Sequence, residues 1–142
     1  MRKLNIVIDT NVIYTALHSK RGASSKLLSL VGTGLFEIHL SVPLVLEYED
    51  VLLRKNMSLP VTKDVISEVI DSLCALGHHH EIHFLWRPYL RDPKDELVLE
   101  IAVASQSKYI ITYNVNDFTG AEEFGIKVMT PKEFLQEIGE IS

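Results

Sequence analysis

Ile6-Val7-Ile8-Asp9-Thr10-Asn11-Val12 decides the fold. Leu4–Ile8 is a short apolar run, the pattern of a strand buried on both faces. It stops abruptly in Asp-Thr-Asn, residue types that open helices, and a helix to about Leu17 follows. A buried strand feeding directly into a helix is the unit of a parallel α/β sheet. The same transition recurs at Tyr109-Ile110-Ile111-Thr112, an apolar strand running out into Tyr113-Asn114-Val115-Asn116-Asp117-Phe118.

Between these two segments the alternation continues. Ser24 is positioned to cap a second helix through Val31, closed by Gly32 and Gly34. Phe36–Leu40 alternates like a strand. Ser41, with Pro43 in the first turn, opens a helix to about Arg54. Thr62 caps another, with Val65, Val69, Ile70 and Leu73 on one face and Gly77 at its end. Ile82–Trp86 reads as a strand, Arg87–Lys94 as a proline-containing loop, and Asp95–Ser105 as a strongly apolar helix. Ile126–Met129 is a last short strand. Thr130-Pro131-Lys132-Glu133 is a capping box that starts a final helix. Strands alternating with helices imply one α/β domain over residues 1–142, a parallel sheet with helices on both faces in three Rossmann-like layers.

Composition bounds the rest. The 142 residues suit one domain, and 46% hydrophobic with 23% charged is ordinary for a globular chain. The one cysteine, Cys74, has no internal partner for a disulfide, which fits a reducing cytoplasm, and it reads as a small buried hydrophobe. No run reaches the apolar length of a membrane span. Net charge is −5, from 14 basic and 19 acidic residues, which argues against broad electrostatic coating of nucleic acid. Four local bases, Lys20, Arg21, Arg87 and Arg91, are the candidates for gripping a phosphate backbone.

Four acids, Asp9, Glu47, Asp95 and Asp117, fall where predicted strands meet helices. In an open α/β sheet such positions converge on the crevice that binds ligands. Carboxylates gathered there repel one another and call for a cation, and oxygen-only ligands suit Mg²⁺ or Mn²⁺. Each position also has a purely local reading: Asp9 as a helix cap, Asp95 as a first-turn acid, Asn114, Asn116 and Asp117 as turn residues. Asp92 and Glu96 compete with Asp95 for its role. His78-His79-His80 with His83 has the look of a metal tract. Only alternate residues share a strand face, however, and no Cys or acid triad completes a zinc set, so a polar strand edge is expected.

Four segments in order carry a resemblance: Ile6–Val12, Ser41–Leu52 (SVPLVLEYEDVL), Asp92–Ala104 (DPKDELVLEIAVA) and Ile110–Phe118 (IITYNVNDF). Together they resemble a PIN domain, the nuclease fold common among toxins of bacterial and archaeal toxin–antitoxin pairs. The Asp-Pro-Lys-Asp segment is similar to a subfamily described as toxin components. The resemblance implies a Mg²⁺- or Mn²⁺-dependent endoribonuclease with an RNA substrate, a small antitoxin protein as partner, and a possible homodimer. It places the family's acids on Asp9, Glu47, Asp95 and Asp117, its polar helper on Asn11 and its hydroxyl on Thr112. Many members carry an acid where this chain has Asn114, which offers a carbonyl oxygen to a metal but no charge. Two rivals remain at this stage. A haloacid-dehalogenase-like phosphatase also begins with strand–Asp, but it wants a second acid where Asn11 stands. A non-catalytic binding module on the same fold is the other.

Overall fold

The computed structural model describes residues 4–81 and 93–142. Five strands form one parallel sheet in the order β3-β2-β1-β4-β5, where β1 is Leu4–Ile8, β2 Phe36–Leu40, β3 His78–His79, β4 Tyr109–Ile111 and β5 Lys127–Met129. The helices are α1 (Thr10–His18), α2 (Ala23–Ser29), α3 (Val42–Arg54), α4 (Lys63–Leu76), α5 (Pro93–Ala104) and α6 (Pro131–Glu137). The α/β architecture expected from the sequence is the one observed.

β1 is the centre of the sheet. Ile6, Val7 and Ile8 are all buried, so side chains on both faces are covered, as a doubly wound sheet requires. Ile6 pairs with Ile38 on one side and with Tyr109 on the other. The chain builds outward from β1 through β2 to β3, then crosses back to place β4 and β5 on the opposite flank. The sheet therefore reverses its winding between β1 and β4. That is the switch point where the carboxyl ends of the strands diverge and leave a crevice.

Most helix starts follow their capping residues. Ser41, Thr62 and Thr130 accept backbone N–H groups from Leu44, Val65 and Glu133, and the Thr130–Glu133 box is closed in both directions. The expectation for α2 is corrected. Gly22 stands at its cap, and Ser24 lies one residue inside the helix, buried, its hydroxyl 2.5 Å from that of Tyr113. Gly77 ends α4 for want of space. A Cβ there would stand 2.5 Å from Leu40 Cδ1 and 2.9 Å from the Leu73 carbonyl oxygen, too near for any side chain.

The histidine tract forms a sheet edge. β3 starts at His78, ahead of the strand expected at Ile82–Trp86, which lies outside the described residues together with His83. The His80 N–H donates to the Leu40 carbonyl at 2.8 Å. His80 Nε2 lies 2.7 Å from Nδ1 of the buried His39, whose Nε2 is 2.9 Å from Asn5 Oδ1. His78 pairs with Glu37 at 3.3 Å. Cys74 is partly buried on α4 and packs against the core. Among the described residues no helix is long and apolar enough to cross a membrane.

Candidate active site

Asp9 follows β1 directly, and its N–H still donates to Ile111 O of β4 at 2.9 Å. The ladder thus carries Asp9 to the mouth of the switch-point crevice before the chain turns into α1. The residue is buried, and both carboxylate oxygens are engaged. Oδ1 accepts the Thr10 N–H at 2.8 Å and Oδ2 accepts the Thr112 hydroxyl at 2.8 Å. Asp9 is therefore a helix cap and a crevice carboxylate at once.

Thr112 is fully buried just past β4, its N–H donating to Met129 O at 3.0 Å. Its Oγ1 receives the Asn114 N–H at 3.0 Å and Asn11 Nδ2 at 3.3 Å. A hydroxyl has two acceptor lone pairs and one proton. With both lone pairs taken by N–H donors, the proton must go to Asp9. Asn11 Oδ1 accepts the Tyr113 N–H at 3.3 Å. Asn11 thus ties α1 to the segment after β4, and it reaches Asp9 through Thr112. Asn114 contributes its backbone N–H, and its residue as a whole is exposed.

Burial pushes the Asp9 carboxyl above its ordinary value; the Thr112 and Thr10 hydrogen bonds pull it down, and the charges of Asp117 and Glu47 push it up again. Glu47 and Asp117 therefore lie near enough to Asp9 for their charges to bear on it. Asp117 is exposed in the short 3-10 turn Val115–Phe118. Glu47 lies in the second turn of α3, away from the strand–helix junction itself. α3 is fixed there by Tyr48, fully buried, whose hydroxyl donates to the Ile8 carbonyl. Burial, then the Asp9 charge, pushes the Tyr48 phenol well above its ordinary value. Asp95 is half-buried in the first turn of α5. Its neighbour Glu96 is the more buried, and its charge helps, after burial, to raise Glu100 one turn along the same helix. Asp92 lies outside the described residues.

The sequence reading missed two residues here. Tyr48 looks like one more apolar position of α3, and only its buried hydroxyl, which must find an acceptor, marks it out. Lys94 brings its ammonium 3.6 Å from Glu47 Oε1. Of the four bases singled out as phosphate grips, Lys20 and Arg21 are exposed in the turn between α1 and α2. That places them at the far end of a helix roughly 13 Å long from Asp9. Arg87 and Arg91 lie outside the described residues.

In chemistry the acids suit a hard divalent cation, being all oxygen, partly desolvated and mutually repelling. In geometry the set is open: among the described residues no three His, Cys, Asp or Glu side chains stand together as a ligand set.

The fold is similar to that of a chain in the structure of VapBC2 from Rickettsia felis bound to a DNA fragment from their promoter. The TM-score is 0.59 at 13% identity, over 88% of this chain and 98% of that one. It is similar also to a chain of VapBC-1 from nontypeable Haemophilus influenzae, with a TM-score of 0.57 at 13% identity, over 91% and 99%. No curated protein matches the chain in sequence. The family model described as PIN domain matches residues 5–116, which takes in both sides of the switch point, Asp9, Glu47, Asp95 and Thr112. The chain belongs to the PIN domain family, whose members are generally nucleases.

Proposed function

We propose that this chain is a Mg²⁺- or Mn²⁺-dependent endoribonuclease and acts as the toxin of a toxin–antitoxin pair. The observation that carries the reading is Asp9: a buried carboxylate at the switch point, oriented by a Thr112 hydroxyl whose proton has no other acceptor, and coupled to Glu47 and Asp117. Asp9, Glu47, Asp95 and Asp117 would hold the ion, with the Asn114 carbonyl as a further oxygen. When bound, such an ion makes a water nucleophilic near neutral pH and relieves charge on the leaving oxygen.

The chain's own residues do the rest. Thr112 and the Thr10 N–H hold Asp9 in one rotamer, so a ligand oxygen is preorganised. Tyr48 fixes α3 against the end of β1 and so sets the position of Glu47 relative to Asp9. The crevice lies at the carboxyl ends of β1 and β4, where Asn114 and Asp117 are exposed, which favours the accessible backbone of single-stranded RNA over one shielded in a duplex. Lys20 and Arg21, exposed beyond the end of α1, would meet phosphates away from the scissile bond, with Arg87 and Arg91 as the remaining candidates.

The small antitoxin suggested by the VapBC likeness would need an apolar docking surface, and one groove is a candidate. An apolar groove of about 400 Å³ runs between α1, α2 and α4, lined in part by Leu17, Leu28, Val65, Val69 and Leu76.

The test is cleavage of a mixed-sequence single-stranded RNA by the parent, Asp9→Asn and Asp95→Asn, purified identically, with Mn²⁺ or EDTA. The parent should cleave slowly, EDTA should abolish cleavage, and both variants should lose it. Mn²⁺ should raise the melting temperature of the parent by binding the folded state, and Asp9→Asn should lose most of that gain. Equal cleavage by parent and variants would identify a contaminating nuclease. No cleavage by the parent on several RNAs with either metal would favour a non-catalytic binding module.

A further inference from the structure

We propose that the exposed ring of Tyr113 is a stacking platform for a nucleobase of the RNA substrate, set in place by the buried hydroxyl of Ser24. The proposal rests on the nuclease reading for its substrate, and it adds to the site a residue outside the acids and the candidate bases.

Tyr113 follows Thr112 directly, so its backbone lies beside the hydroxyl that orients Asp9. Its N–H donates to Asn11 Oδ1 at 3.3 Å, which ties that backbone to α1. Its side chain reaches from the strand end to α2, where the phenol oxygen stands 2.5 Å from Oγ of Ser24. Ser24 is wholly buried, yet Tyr113 is 42% exposed. With the N–H and the hydroxyl both engaged, that exposure falls largely on the ring. The usual order is reversed. A surface tyrosine commonly packs its ring and wets its hydroxyl, whereas here the hydroxyl is tucked in and the ring faces water. Among the described residues no other aromatic ring stacks on it.

A ring held in this way is preorganised. Tyrosine has few side-chain torsions to freeze, and the Ser24 contact restrains them before any ligand arrives. Single-stranded RNA offers the complementary group, since its unpaired bases splay out and stack on aromatic side chains. Every base has such a face, so the contact tolerates sequence. Stacking also adds affinity without a positive charge, which suits a chain of net charge −5. Position supports the same occupant. One end of Tyr113 adjoins the acid crevice, and the other meets α2 three residues after Arg21 of the exposed basic turn. A strand with its scissile phosphate at Asp9 and further phosphates at Lys20 and Arg21 would pass over this ring.

The experiment uses the full chain and a fluorescein-labelled, mixed-sequence single-stranded RNA, with binding read by anisotropy and Ca²⁺ replacing Mn²⁺ to suppress turnover. Tyr113→Ala should weaken binding about tenfold, the loss expected for one base stacked on an aromatic side chain. The slope of log Kd against log salt should stay that of the parent, because stacking neutralises no phosphate. A strand of the same length with abasic riboses throughout should bind parent and Tyr113→Ala alike. Tyr113→Phe, which keeps the face and gives up the bond to Ser24, should stay within about threefold of the parent. In the cleavage assay with Mn²⁺, Tyr113→Ala should raise KM by a larger factor than it lowers kcat. Mn²⁺ titration without RNA should match the parent, since residue 113 meets Asn11 through its backbone.

Unchanged RNA affinity in Tyr113→Ala, in a parent that cleaves RNA, would overturn the platform and leave the nuclease reading standing. Equal losses in Tyr113→Phe and Tyr113→Ala would assign the effect to the hydroxyl and overturn the proposal. An equal loss on the abasic strand would assign it to the RNA backbone, with the same consequence. Loss of Mn²⁺ binding in Tyr113→Ala would likewise overturn it, by tracing the effect to the acids. A base-dependent loss in a parent that cleaves nothing would uphold Tyr113 as the platform of a binding module. A parent with no affinity for RNA would sink both readings.

Discussion

Thr112 is the residue on which the site turns. Its Oγ1 satisfies two N–H donors and gives its proton to Asp9, so one atom joins β4, α1 and the segment after β4. Thr112→Val keeps the shape and removes every one of these bonds. It leaves the Asn114 N–H and the Asn11 amide without their acceptor and Asp9 Oδ2 without its donor. The expected loss is on the order of 1–3 kcal/mol of unfolding free energy, read from urea denaturation. Thr112→Ser should recover most of it. A Thr112→Val protein as stable as the parent would mean that this network is solvated and positions nothing. The two strand ends, Asp9 and Thr112, were legible in the sequence because an apolar run stopping in a polar residue is a local signal. Tyr48 and Lys94 were not, because a hydroxyl seeking the Ile8 carbonyl and an ammonium seeking Glu47 find partners that only packing brings near.

Among the elements, β3 depends on its histidines. Only two residues long, it is held to β2 by the His80 N–H to Leu40 O bond and by the contact between His80 and the buried His39. Burial, then the neighbouring His80 and His78, pushes His39 from 6.5 down to about 4, with Glu37 opposing. Burial and the histidines beside it also lower His80. Because the folded-state value of His39 lies below the unfolded one, the unfolded chain binds more protons between pH 6.5 and about 4. The stability tied to neutral His39 is complete above that window and falls away as pH drops through it. Amide exchange at His80 should therefore accelerate on acidification, ahead of exchange in β1 and β4. His39→Phe should flatten that pH dependence. Exchange at His80 that tracks β1 at every pH would mean the edge opens only with the whole molecule. The histidine tract was legible as a polar strand edge, but the paired residues were not: three consecutive histidines carry no alternation of apolar and polar residues, and pairing with β2 selects His78–His79. α3, α4 and α6, by contrast, begin where their caps stand in the sequence.

At the scale of the whole molecule, winding order turns scattered residues into one site. The alternation of strands and helices was readable along the chain. The order β3-β2-β1-β4-β5 was not, since it depends on where the chain crosses back over the sheet. That crossing brings Thr112 beside Asp9, residues 103 positions apart in sequence. The same fold turns one face of α3 outward. Val42, Leu46 and Leu53 are 65%, 57% and 39% exposed, while Leu44, Tyr48 and Leu52 are buried on the opposite side. At 3.6 residues per turn the three exposed residues fall within about 40° of arc, an apolar stripe interrupted by the exposed Glu49 on an element that also carries Glu47. A stripe of this kind is a cost in water unless another surface covers it, and a second copy of the same chain, apposed through a two-fold axis, would bury it symmetrically. The expected outcome is a homodimer by sedimentation equilibrium at micromolar concentration. Leu46→Glu should shift it to monomer without lowering the melting temperature of the monomeric fold. Met57→Glu, at a residue 99% exposed beyond the end of α3, should leave the dimer intact. A parent monomeric at every concentration, or a dimer insensitive to Leu46→Glu, would remove α3 as the contact face. Because Glu47 and the stripe share one helix, a dimer formed there would also hold α3 against β1, and dilution to monomer should weaken Mn²⁺ binding in step with dissociation.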